Sequence, residues 1–256
     1  MKTLITVMLT GMLLATGAIA QTAAEIIEET NFTGGLIVHL GCGDGKLTAA
    51  LRVNDRCLVH GLDTDSDAVT KAREHIQKLG LYGKVSVQTL EGQALPYADN
   101  LVNLLVVTER GQVSREEGMR VLAPNGVAYV NTANGWRTFV KQRPDSIDEW
   151  THHLHDAGGN AVANDEVVGP PQRLQWTAGP LWARSHGWTP SVSAMVSAAG
   201  RIFYICDETL PGVDGTVPSK WFLVARDAFS GVLLWKCPVP HWGSVEFSGT
   251  DRKSVV

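Results

Sequence analysis

An apolar run, Ile37-Val38-His39-Leu40, breaks into Gly41-Cys42-Gly43-Asp44-Gly45, a pattern suited to wrapping a nucleotide-type ligand. Glycine serves such a turn because, lacking Cβ, it takes positive φ cheaply and lets backbone N–H groups approach a ligand. Roughly 20 residues on, a second apolar run, Cys57-Leu58-Val59-His60-Gly61-Leu62, ends on Asp63, whose carboxylate can accept from both ribose hydroxyls. A different chemistry is offered by Glu149-Trp150-Thr151-His152-His153-Leu154-His155-Asp156, the densest group of titratable side chains. His152, His155 and Asp156 could reach one metal ion from a helical face, since residues three apart are neighbours there. Gly158-Gly159 follows at once and spacing identifies no further ligand, so the group reads as surface or interdomain hydrogen bonding, with no metal expected. His186, beside Arg184 and Trp188, reads the same way.

The elements that must position these residues alternate regularly. A short helix over 22–30 leads into the first strand, the glycine turn opens a helix over 46–52, and Asp65 or Ser66 caps a helix over 66–79 that stops before Gly80. Strands follow at 85–87 and 101–107, then a helix over 114–122, then a strand over 127–130 after the Pro124-Asn125-Gly126 turn. Such alternation predicts a parallel sheet covered on both faces, with ligands at the carboxyl ends of the strands near the point where strand order reverses. The 41–45 turn, Asp63 and Glu91 all fall at those ends. Beyond Asn134 the texture changes: tryptophans and prolines gather and helical periodicity stops, which puts a boundary near Arg143-Pro144. The stretches 200–205, 221–226 and 232–236 read as strands of a β-meander, with Asp227-Ala228-Phe229-Ser230-Gly231 as a turn.

Length and composition bound the rest. The chain has 256 residues, 44% of them apolar, which is ample for one or two packed domains. A net charge of −4 without a long basic run argues against a nucleic-acid partner. Lys2, the apolar stretch 4–15 and the small-x-small Ala18-Ile19-Ala20 read as a secretory signal, so that Gln21 begins a periplasmic or secreted mature chain. That apolar stretch is too short to span comfortably, and no membrane span is expected in the mature chain. The four cysteines, Cys42, Cys57, Cys206 and Cys237, lack the spacing of a zinc or haem motif. Cys42 and Cys57 read as small buried thiols, while Cys206 and Cys237 could bridge within their own region.

In several separated places, over about 22–134, the first region resembles the class I S-adenosylmethionine-dependent methyltransferases. In that family the glycine turn wraps the methionine end of the cofactor, an acid closing the second strand holds the ribose, and an acid-small pair before Leu-Pro grips the adenine. Those positions read here as the 41–45 turn, Asp63, and Glu91-Gly92 ahead of Leu95-Pro96. Arg120-Val121-Leu122-Ala123-Pro124-Asn125-Gly126 resembles the family's passage from helix to fifth strand, with Asn125 in place of a usual glycine. The resemblance implies a Rossmann-like, mostly parallel α/β sheet of methyltransferase type. It also implies S-adenosylmethionine contacts from Leu40, Gly41, Cys42, Gly43, Asp44, Gly45, Asp63, Thr64, Glu91, Gly92 and Thr108. Two positions depart from the family: His39, where an acid generally helps hold the cofactor's ammonium, and Asn103, where an aspartate usually begins the fourth strand. No catalytic acid or base stands out, although Thr108 and Glu109 sit where substrate contacts often arise; positioning supplies much of the effect when a sulfonium is already activated.

Over about 174–240 the chain resembles the start of the pyrroloquinoline-quinone-type β-propellers, through Asp227-Ala228-Phe229-Ser230-Gly231 before Leu233-Leu234-Trp235-Lys236. One repeat is visible, whereas a propeller closes with roughly 4 to 8 blades, so the region is expected to be a first blade whose remaining blades belong to a longer chain. The repeat carries no quinone or metal cluster, and pyrroloquinoline quinone is not expected in it. The resulting division is a leader over 1–20, a methyltransferase-like domain over 21–142, a linker over 143–173 and a partial propeller over 174–256. Three functions compete. The first is methyl transfer to an unknown acceptor, the second an exported non-catalytic binding or scaffold protein with a degenerate nucleotide-type fold, and the third a fragment of a quinone-dependent dehydrogenase.

Overall fold

The structure is a computed structural model that describes residues 21–167, 170, 174–181, 191–209, 219–240 and 242. The expected leader, the Arg184, His186 and Trp188 group, and the segment 249–256 lie outside the described residues. Helix α1 (Ala23–Glu29) opens with a capping box in which Thr22 and Glu25 satisfy each other's backbone N–H groups, and it buries Ile26 completely. Strand β1 (Gly35–Leu40) is buried at every position, as a central strand with both faces covered must be. There follow α2 (Lys46–Ala50), β2 (Cys57–Asp63), α3 (Ser66–Lys78), β3 (Val85–Thr89), β4 (Val102–Val107), α4 (Arg115–Val121), β5 (Leu122–Thr132) and β6 (Gly135–Val140). Asp65 caps α3 and Ser114 caps α4, each accepting from a backbone N–H of the first turn.

These strands form one sheet in the order β3-β2-β1-β4-β5-β6, parallel except for the last pair. Strand order therefore reverses between β1 and β4, and the crevice at their carboxyl ends is where a ligand is expected. On one face Ile37, Val59, Leu104 and Val106 pack against Ile26 of α1 and Val69, Ala72 and Ile76 of α3. On the other, Val38, Leu40, Leu62, Leu105 and Val107 pack against Val121 of α4 and against Leu90 and Leu95 of the loop that joins β3 to β4. Burying each such Val, Leu or Ile side chain contributes roughly 1.5–3 kcal/mol.

Several boundaries differ from the sequence reading. Helix α2 stops at Ala50 rather than 52, with Leu51 as its C-cap. Strand β5 begins at Leu122, five residues before the expected 127, because Leu122 already pairs with Val102 across a register shift. Strand β6 was not anticipated; it is an edge strand with no clean alternation of buried and exposed positions, paired antiparallel to β5.

A second sheet contains β7 (Val192–Ala198), β8 (Arg201–Asp207), β9 (Trp221–Asp227) and β10 (Leu233–Pro238), ordered β10-β9-β8-β7 and antiparallel throughout. Strand β7 is an addition to the expected meander. The Asp227 carboxylate organises the turn after β9 by accepting from Phe229 N, Ser230 N and Ser230 Oγ. It also meets the first sheet: Asn103 Nδ2 donates to Asp227 Oδ2 at 2.8 Å while Asn103 Oδ1 accepts from Leu36 N at 2.8 Å. The second sheet thus docks at the amino ends of β1 and β4, opposite the crevice. This gives Asn103 a physical reason, since an aspartate there would set two carboxylates against each other.

All four cysteines are unbridged. A Cys206–Cys237 bridge is overturned by the topology, because Cys206 pairs with Phe222 and Cys237 with Leu223 on opposite sides of β9. Two strand spacings separate them, about 9–10 Å, beyond the roughly 7 Å limit for a disulfide. Among the described residues no helix is long and apolar enough to cross a membrane.

Candidate functional site

The crevice is built by backbone hydrogen bonds that tie three strand ends together. Gly41 N and Cys42 N both donate to Leu62 O, at 2.8 and 3.1 Å, which hangs the glycine turn on the end of β2. Gly43 N donates to Asp63 Oδ2 at 2.8 Å and Asp65 N to Asp63 Oδ1 at 3.0 Å. Each carboxylate oxygen keeps a further lone pair, so Asp63 can still receive a pair of hydroxyls. Leu90 N donates to Asp63 O at 2.7 Å, which brings Glu91 and Gly92 to the same edge. On the far side Thr108 N donates to Leu40 O at 3.0 Å and the Thr108 hydroxyl to Gly41 O at 2.6 Å.

Glycine is required at two of these positions for different reasons. Gly41, at φ +81°, lets the chain after β4 come close: a Cβ there would lie 2.7 Å from Glu109 N. Gly43, at φ +51°, faces open space, with no protein atom within 4 Å of where its Cβ would stand. The second is the cradle into which a ligand can settle against bare backbone.

His39 and Cys42 take part as structure. His39 is 1% exposed, with Nδ1 2.8 Å from Thr48 Oγ1 and Nε2 3.1 Å from Thr108 Oγ1. Because the Thr108 proton goes to backbone carbonyls, the network assigns the His39 proton to Nε2 and makes Nδ1 the acceptor for Thr48. Burial lowers the His39 pKa to about 4, outweighing the pull of Asp63. The ring is neutral at physiological pH and has no free acceptor for an ammonium group. Burial, followed by the nearby Asp63 charge, pushes the Cys42 thiol up to about 12, so it is no nucleophile. Asp44 is turned outward against Lys46 Nζ at 2.6 Å. Thr64 is exposed, 3.9 Å from the position a Cβ on Gly111 would occupy.

Sequence reasoning missed the groups that hold the loop joining β3 to β4. Arg120 of α4 donates to Leu95 O, Tyr97 O, Asp99 and Glu117, while Glu117 Oε1 accepts from Leu95 N at 2.6 Å. The Tyr97 hydroxyl meets His60 Nδ1 at 2.7 Å. The Glu117-x-x-Arg120 spacing is that of a helical ion pair, but it does not reveal the distant loop that the pair holds. The 149–156 group lies apart from the crevice: His155 is buried and its Nε2 meets Asp148 Oδ2 at 2.6 Å, while Trp150 exchanges hydrogen bonds with Ser197 of β7. His152 and His155 bond through their backbones, and no cluster with metal-binding geometry occurs among the described residues.

Residues 37–126 match the methyltransferase domain family, a span running from β1 to the turn inside β5. The chain is 31% identical over 100 residues to the methyltransferase GfsG of Streptomyces halstedii, covering 36% of each protein. It is 26% identical over 140 residues to the ubiquinone/menaquinone biosynthesis C-methyltransferase UbiE of Enterobacter sp. (strain 638), covering 52% of this chain and 55% of that one. It is also 27% identical over 161 residues to human methyltransferase-like protein 27, covering 61% and 62% respectively. The chain thus spans 36% to 62% of the length of these relatives. Among solved structures, an S-adenosylmethionine-dependent methyltransferase from Aquifex aeolicus aligns at 23% identity and TM-score 0.36, over 42% of this chain and 62% of that one. The [4+2]-cyclase SpnF aligns at 23% identity and TM-score 0.39, over 42% of each. By sequence, residues 37–126 are thus similar to the methyltransferase domain family.

Proposed function

We propose that the crevice binds S-adenosylmethionine and serves methyl transfer to an acceptor not yet identified. The observation that carries this reading is the joining of the 41–45 turn, Asp63 and the 90–92 segment at one sheet edge, with open space over Gly43. The donor set fits the cofactor: glycine backbone for the methionine end, the spare lone pairs of Asp63 for the ribose, and Glu91-Gly92 beside the adenine. The bound cofactor would supply a methyl group already activated on a sulfonium. The chain's own part is then to bind, orient and exclude water, and Thr108 and Glu109 flank the place where an acceptor would enter. Titration calorimetry of the full chain with S-adenosylhomocysteine tests the ribose assignment. Asp63→Ala is expected to weaken binding at least ~30-fold, about 2 kcal/mol for a lost charged acceptor, and unchanged affinity would sink it.

The exported, non-catalytic reading is favoured by one feature, the neutral His39 in place of an acid. It predicts no S-adenosylhomocysteine binding by the folded chain and a gain of binding in His39→Asp, so the same calorimetric titration separates the two. Export rests on residues 2–20 and is tested by cell fractionation. The second sheet is proposed as a propeller-type blade, a reading supported by the Asp227 turn and by Trp235 packing against Phe203 at a ring separation of 6.0 Å.

A further inference from the structure

Next to the crevice, between α4 and the sheet, lies a cavity of about 140 Å³. Its walls are hydrocarbon from Leu40, Leu105, Met119, Ala128 and Phe139, with Arg110 and Arg115 among the polar residues that line it. The segment after β4 separates it from the glycine turn: Thr108 and Glu109 contact Gly41 on one side, and Arg110 lines the cavity two residues later. Leu40 belongs to both, since it lines the cavity and its carbonyl accepts from Thr108.

We propose that this cavity binds the apolar end of a small organic acid, an aryl or branched-alkyl chain ending in a carboxylate, and that such acids are the acceptor class: a carboxylate oxygen takes the sulfonium methyl, the S–CH3 bond breaks, and a methyl ester and neutral S-adenosylhomocysteine leave. The assignment rests on the reading of the crevice as a cofactor site. A space of this size matches a cavity of roughly 150 Å³ that stays dry and takes up benzene, so it accommodates one ring or a short branched chain and leaves the rest of the ligand outside. Charge decides what that remainder is. Arg115 lies over the Phe139 ring at 5.0 Å from its centroid, and neither Arg110 nor Arg115 forms an ion pair among the described residues. Their anionic neighbour is Glu116, which is fully exposed and held low first by its own backbone N–H and by Ser114, and then by the two arginines. An acidic head at the mouth would meet Arg110 and Arg115, with the Glu116 carboxylate in water and Glu109 on the Gly41 side of the segment.

The test uses the full chain and three probes, 4-phenylbutyrate, 4-phenylbutan-1-ol and butyrate, titrated by calorimetry with and without saturating S-adenosylhomocysteine. The expected result is saturable binding of 4-phenylbutyrate, at least 5-fold weaker binding of the alcohol, and none of butyrate. Ala128→Leu, which fills the cavity, abolishes the phenylbutyrate heat. Arg115→Gln, a surface change that leaves the fold alone, removes most of the preference for acid over alcohol. Equal affinities for acid and alcohol, no phenylbutyrate binding by the wild-type chain, or competitive displacement by S-adenosylhomocysteine would each overturn the proposal. The S-adenosylhomocysteine titration stands by itself, so binding of that ligand without phenylbutyrate defeats the cavity assignment alone. Phenylbutyrate binding without S-adenosylhomocysteine binding defeats the cofactor reading, and with it the acceptor assignment.

Discussion

Replacing Asn103 by aspartate changes one atom group at the contact between the two sheets and should be costly in a pH-dependent way. The Asn103 amide donates to Asp227 Oδ2 at 2.8 Å and accepts from Leu36 N. Asn103→Asp keeps the acceptor but turns the donor into an oxygen facing a carboxylate that is 8% exposed. The lost charge-assisted hydrogen bond is worth about 1.5–3 kcal/mol. Two unit charges about 3 Å apart repel by at most about 5.5 kcal/mol at an effective dielectric constant of 20. The pair can escape most of that repulsion by keeping one proton or rotating apart, so a net loss of about 2–4 kcal/mol is expected at pH 7.5. The sign with pH follows from the shared proton. Carboxyls that hold a proton more tightly folded than unfolded are stable below the unfolded value, and that stability disappears as pH rises through the folded one. The penalty of Asn103→Asp relative to wild type should therefore shrink to below about 1 kcal/mol at pH 4.5, where an O–H···O bond replaces the lost N–H···O bond. Urea denaturation of both proteins at the two pH values measures it. A penalty equal at both pH values, or below about 0.5 kcal/mol at pH 7.5, would refute the contact.

Two further predictions concern the crevice. Because His39 is buried neutral with a pKa of about 4 against an unfolded value near 6.5, its stability contribution is complete above about pH 6.5 and is lost as pH falls toward 4. That amounts to about 3 kcal/mol across the window, and His39→Gln should flatten this part of the stability profile as read by denaturation midpoints. Cys42, with its thiol pushed up to about 12 by burial, should resist alkylation by iodoacetamide at pH 8 in the native chain, while the exposed Cys237 reacts, as peptide mass spectrometry would report. Rapid native labelling of Cys42 would contradict the closed glycine turn.

Local chemistry made much of the first sheet legible. The glycine turn, the acid ending β2 and the Asp65 cap stand where the sequence pattern puts them, and the caps at Asp65 and Ser114 act within a few residues of themselves. What escaped depends on partners distant in the chain. Strand β6 is the exception, paired with the adjacent β5 across a tight turn, and has too mixed a face to announce itself. Asn103 reads as a departure until Asp227, far along the chain, is found against it. The network of His39 with Thr48 and Thr108 needs three separate elements in register. The clamp of Arg120 on the loop before β4 is likewise a tertiary fact, since only its bond to Glu117 lies within one helix.

The central claim is that the 41–45 turn, Asp63 and the 91–92 pair form one binding site for S-adenosylmethionine. Nitrogen-15 correlation spectra of the full chain titrated with S-adenosylhomocysteine address it residue by residue. The account predicts saturable shifts at the amides of Gly43, Gly45, Thr64 and Gly92, with little change in the second sheet. Unshifted glycine-turn resonances in a well-dispersed spectrum, or shifts confined to the contact around Asn103 and Asp227, would contradict it.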